Sequence, residues 1–204
     1  MLRIESVLLQ DIVLLPERSI MARKEKIHKD FLVDTAFILA KQEGFENVTA
    51  RKLAAKAGCS TQPIFRLYEN MDDLLAQVYD KAVEFYDFFY DESPKFNPEP
   101  FVDLGMAYIK FATQEKELFK LLFMGEKKPY GKSLYDVLNG SKSYVTTEFA
   151  KAKKEGVYNA QDLFTKLWIF IHGIACMTIT GDYDLDEDQT LNLLREASRK
   201  LGTD

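Results

Sequence analysis

Four side chains in the first third of the chain, Thr49, Thr61, Gln62 and Arg66, are suited to hydrogen-bond recognition of a flat or anionic partner. The carboxamide of Gln62 donates and accepts at once, the pattern that pairs bidentately with an adenine edge. The guanidinium of Arg66 does the same for guanine. Thr61 can bond a phosphate or touch a thymine methyl, and Arg51 can meet a phosphate. Thr49 and the free amides of a helix start suit a phosphate as well. Bond-making chemistry is not equipped in the same way. The chain has two cysteines, Cys59 and Cys176, and two histidines, His28 and His172. None of these forms a cluster with metal-ligand spacing. No Gly-rich phosphate loop, Gly-x-Ser-x-Gly elbow or His-Glu-x-x-His motif occurs. Acidic residues are plentiful, but none pairs recognisably with a histidine or an apolar pocket. No catalytic residue, metal or cofactor is expected, and an all-helical enzyme is the weakest of the functional readings.

The residues from Val48 to Asp73 predict the elements that hold these side chains. Thr49 is placed to cap a short helix whose buried face is Leu53, Ala54 and Ala57. Gly58 suits the left-handed turn that ends it. Ser60 is expected to cap a second short helix. Pro63 falls in that helix's first turn, where a missing N–H costs little. Ile64, Leu67 and Tyr68 form the inner stripe, which turns Thr61, Gln62 and Arg66 outward. Asn70 then caps a long third helix, with Asp72 and Asp73 near its positive end. Two helices joined by a tight turn, the second with a polar outer face, make a helix-turn-helix.

Thr49, Leu53, Ala54, Ala57, Gly58, Cys59, Ser60, Ile64, Phe65, Tyr68, Asp73 and Leu74 together resemble the DNA-binding domain of the TetR family of transcriptional regulators. The resemblance implies a DNA-facing set of Thr49, Arg51, Ser60, Thr61, Gln62, Phe65 and Arg66. Two positions depart from the family pattern. Phe65 stands where a tyrosine hydroxyl often meets a phosphate, and Met71 stands where a lysine often does. Each lost phosphate contact is expected to flatten the salt dependence of binding by about one unit of slope.

Charge is distributed in keeping with that reading. Met21 to Met71 hold nine Lys/Arg against six Asp/Glu, a net of +3, within a chain of net −5. The remainder therefore carries −8, giving a basic head on an acidic body. No run of about 18 uncharged apolar residues indicates a transmembrane helix. A cytoplasmic location with no membrane partner is expected.

Residues 1–22 read as an N-terminal extension. Its apolar run is interrupted by Glu5 and Asp11, and no small-residue cleavage site follows, which disfavours a signal peptide. A helix is predicted from Arg23 to Gly44, with Arg23, Lys24 and Lys26 as candidate phosphate contacts and His28 at the surface. The DNA-binding domain is assigned to 23–84 and a regulatory and dimerisation domain to 85–204. The Pro-rich break Ser93 to Pro100 precedes helical stretches at about 101–114, 115–124, 131–154, 160–180 and 186–201.

The fold class is all-α: a three-helix N-terminal helix-turn-helix domain followed by a helical C-terminal dimerisation and ligand-binding domain. The stretch Leu163 to Ile179 is apolar nearly all round, which calls for burial on every side and hence a subunit interface. Its Trp168 to Gly173 segment, WIFIHG, resembles the Trp-x-x-x-His-Gly signature of one C-terminal subtype of the family. The resemblance implies a homodimer on a palindromic double-stranded DNA operator, responsive to a small-molecule effector. Tyr108, Phe111, Phe123, Trp168 and His172 are the candidate ligand-binding residues; aromatic side chains at this spacing also make ordinary core, and His172 also reads as a core or interface histidine. A protein-interaction module that has lost DNA binding is the competing reading, motivated by Phe65 and Met71.

Overall fold

The computed structural model describes residues 27–125 and 133–202, and every regular element among them is helical. The N-terminal extension, Arg23, Lys24 and Lys26 lie outside the described residues. Helix α1 spans Lys29–Glu43, later than the expected start. Its N-cap is His28, whose Nδ1 accepts a bond from the Phe31 amide at 3.3 Å. A single 3₁₀ turn, Phe45–Asn47, leads to α2 (Ala50–Lys56) and α3 (Gln62–Leu67).

Helix α2 is capped by Thr49, whose hydroxyl accepts from the Lys52 amide at 3.3 Å. Its end is closed by two reversed bonds, Cys59 N–H to the Ala54 carbonyl and Gly58 N–H to that of Ala55. The pair forms only if the residue after the cap is left-handed, and Gly58 has φ +66°. Helix α3 begins one residue later than a Ser60 cap would place it. Thr61 occupies the cap position, with no side-chain cap bond, and its carbonyl receives the amides of Ile64 and Phe65.

Asn70 caps the long helix α4 (Met71–Asp91) through the Asp73 amide at 3.0 Å. Helix α5 follows at Val102–Gln114, then α6 (Lys116–Phe119), which runs on as a π-turn over Lys120–Met124. The stretch expected as one helix from 131 to 154 is two, α7 (Leu134–Asn139) and α8 (Tyr144–Lys154). Gly140 (φ +56°) and Ser143 (φ +57°) both leave helical backbone and break it. Helices α9 (Ala160–Thr180) and α10 (Glu187–Leu201) complete the chain. Asp186 and Gln189 form a reciprocal capping box at the start of α10.

The N-terminal helices share a core of Leu32, Phe37, Leu53, Ile64, Tyr68 and Leu74. In the C-terminal half, α5 is the axis against which α9 and α10 pack. The two halves are joined by α4 and by α1 lying on α6. At that junction Lys41 bonds Glu115 at 2.7 Å and sits 4.5 Å from the centre of the Phe85 ring. Burial raises the Glu115 carboxyl above its ordinary value, and Lys41 partly offsets this. Helix α9 has the length and composition of a membrane crossing. Within the chain, Leu163, Leu167, Ile171, Ile174 and Ala175 are buried, while about two-thirds of the most apolar stretch is not. Burial on every side does not hold for the single chain: Ile169 is 68% exposed and Met177 46%.

Candidate nucleic-acid interface

The inner stripe of α3 sets its outer face. Ile64 is fully buried and Tyr68 nearly so, which leaves Thr61, Gln62, Phe65 and Arg66 exposed. Residues 61, 62, 65 and 66 follow the i, i+1, i+4, i+5 spacing of a single helical ridge. The side chains of Thr61, Gln62 and Arg66 make no hydrogen bond or ion pair with another described residue. Their donors and acceptors therefore all face solvent. Phe65 is 53% exposed and adds an apolar ring to the same outward face.

Thr49 and Ser60 are exposed at the two ends of α2 and its following turn. Thr49 already accepts the Lys52 amide, so one lone pair and its own proton remain for a phosphate. Arg51 is exposed and uncommitted, while Lys52 is held by Glu43 at 2.9 Å and Asn47 at 2.8 Å. This separates two adjacent cations: Arg51 is available to a phosphate, and Lys52 already braces the 3₁₀ turn. Lys29 sits 5.0 Å from the centre of the Tyr68 ring, pinning the start of α1 over the end of α3.

The C-terminal candidates come together as one cluster. The Tyr108 ring centre lies 4.7 Å from those of Phe123 and Trp168, and Phe111 is 6.3 Å from Phe123. The Tyr108 hydroxyl is 2.9 Å from His172 Nδ1, and His172 Nε2 is 3.5 Å from the Cys176 sulfur. Tyr108 and Phe111 are fully buried, and the rings fill the space between α4, α5, the π-turn and α9. The void beside Trp168 is only about 10 Å3. Burial lowers the His172 imidazole below its ordinary range, which favours the neutral ring as partner to Tyr108. Sequence reasoning missed Tyr86, whose buried hydroxyl in the same cluster has no hydrogen-bond partner among the described residues. A tyrosine on a helical stripe carries no local sign of that isolation.

The two helices, their tight turn and a polar ridge on the second are the geometry of a groove-reading module. Residues 32–78 match the family model described as "Bacterial regulatory proteins, tetR family". Residues 32–78 thus carry a TetR-type helix-turn-helix DNA-binding domain. The match spans the helix-turn-helix and the start of α4; it stops short of the aromatic cluster. No curated protein matches the chain. Among solved structures the fold is similar to a TetR-like transcriptional regulator from Rhodococcus sp. RHA1, with a TM-score of 0.58 at 15% identity. That similarity covers 90% of this chain and 100% of the other, so the TetR-like fold extends through the C-terminal helices.

Proposed function

We propose that the chain is a homodimeric transcriptional regulator that binds a palindromic operator through α3 and acts as a ligand-responsive repressor. The observation that carries this reading is the uncommitted ridge of Thr61, Gln62 and Arg66, flanked by Thr49 and Arg51. Bidentate groups on a short exposed helix suit base edges in the major groove, and the flanking groups suit phosphates. A role on DNA puts the protein in the cytoplasm.

The outer face of α9 supports the second copy. Ile169 and Met177 stand exposed two turns apart, with Gly173 between them. A Cβ at Gly173 would meet nothing within 4 Å, so close approach by another helix is open there. Pairing α9 and α10 with their copies would cover this face in a four-helix bundle, and the WIFIHG segment on α9 belongs to the same reading. The effector is assigned to the Tyr108, Phe111, Phe123, Trp168 and His172 cluster. Tyr108 and Phe111 are buried while Phe123, Trp168 and His172 are half-buried, so a ligand entering the cluster must part its rings. A ligand shifts the DNA-binding equilibrium only by its difference in affinity for the two states.

The competing reading, a protein-interaction module, draws on exposed Phe65 and on Met71 in place of a phosphate-binding cation. Selection of genomic DNA fragments with the purified chain separates the two. Enrichment of an inverted repeat with half-sites about 34–36 Å apart is expected. Failure to retain any DNA fragment would favour the interaction module.

A further inference from the structure

A cleft of about 560 Å3 lies between the α4–α5 loop, α5, the end of α9 and the start of α10. None of the five clustered aromatic and imidazole side chains lines it, so it is separate from the effector site proposed above. Its volume falls in the range of small-molecule sites, about 300–1,000 Å3. Met106, Ala107, Ile109 and Leu191 supply apolar lining, and Phe96, 85% exposed, stands at the edge.

The polar lining has a definite sense. Four carboxylates, Asp103, Asp186, Glu187 and Asp188, face one lysine, Lys110. Asp103 is engaged by the Asn97 amide at 3.2 Å and by Lys151 at 3.9 Å, and Asp186 caps α10. Glu187 and Asp188 make no hydrogen bond or ion pair with another described residue. Three threonine hydroxyls on the lining have already donated their protons to their own helices. Thr113 donates to the Ile109 carbonyl at 3.0 Å, Thr178 to that of Ile174 at 3.0 Å and Thr190 to that of Asp186 at 2.7 Å. Thr113 and Thr178 therefore offer only acceptor lone pairs to an occupant, while Thr190 is buried and also bonded to the Tyr183 hydroxyl at 2.9 Å. Charge and hydrogen-bond polarity agree: the cleft favours a donor that is positive.

We propose that this cleft binds an amphipathic ammonium ion. Its apolar body lies against Met106, Ile109 and Leu191, its N–H groups go to the Thr113 and Thr178 oxygens, and its charge is offset by Glu187 and Asp188. The proposal does not depend on DNA binding, and it is tested by calorimetric titration of the full chain with octylammonium, octanol and octanoate. Octylammonium is expected to bind one per chain, at least about tenfold tighter than octanoate. The Glu187→Gln/Asp188→Asn double variant should lose most of that preference. Thr113→Trp, at an exposed position on the lining, should abolish binding without disturbing the core. Octanoate binding as tightly as octylammonium would give the site to Lys110 and overturn the proposal. So would octylammonium binding that survives Thr113→Trp, or no saturable binding at all. Should the double variant fail to fold, the ligand comparison and Thr113→Trp still decide.

Discussion

Tyr86 places a fully buried hydroxyl among Phe111, Phe123 and Tyr90 with no hydrogen-bond partner among the described residues. An unpaired buried polar group costs about 1–3 kcal/mol, so removing it relieves that penalty while keeping the ring contacts. Tyr86→Phe is expected to leave stability unchanged or raise it by about 1 kcal/mol in urea denaturation. A clear loss of stability would mean the hydroxyl is satisfied. His172 makes a prediction of its own. Burial depresses its imidazole below the ordinary 6.5, so just below that pH the unfolded chain binds more protons there than the folded one. The stability contributed by the neutral ring is complete above 6.5 and is lost as pH falls through the window beneath it. Burial raises Glu115 and Glu148, which act in the opposite sense but are common to wild type and variant. His172→Gln should therefore lose stability less steeply than wild type on acidification from about pH 7 to pH 5. Parallel curves would remove the histidine from the account.

Among the elements, α5 packs closely against α9 and α10. A Cβ at Gly105 would lie 2.7 Å from Ile171 Cδ1 on α9 and 3.1 Å from Leu194 Cδ1 on α10. Gly105→Val should therefore destabilise by about 1–3 kcal/mol through overpacking, read as a lower urea midpoint at constant slope. An unchanged midpoint would mean that these helices have room to shift. The helix-turn-helix was legible because its signals are local: the Thr49 cap, the Gly58 turn and the Asn70 cap each fix their own turn of chain. The His28 cap was not, since an imidazole is an uncommon acceptor there and the basic run before it continues a helical pattern. Gly140 and Ser143 broke a helix that periodicity alone would have carried through. The π-turn at Lys120–Met124 has no distinctive residue. The cleft was illegible for a different reason. Its walls come from residues near 95, 110, 178 and 187, and only the packing of α5 against α9 and α10 brings them together.

For the whole molecule, two sets of helices share α4. The Lys41–Glu115 contact ties α1 to α6, so a repacking of the C-terminal helices has a physical route to the DNA-binding domain. That route matters only if α3 reads DNA. The most direct test is the affinity of Gln62→Ala/Arg66→Ala for the operator that wild type selects, at one fixed salt concentration. Both side chains are exposed and uncommitted, so folding should be unaffected. Loss of two base contacts should weaken specific binding by at least about 2 kcal/mol, roughly thirtyfold, leaving only non-specific affinity. Operator affinity equal to wild type, in a variant that melts like wild type, would contradict the account.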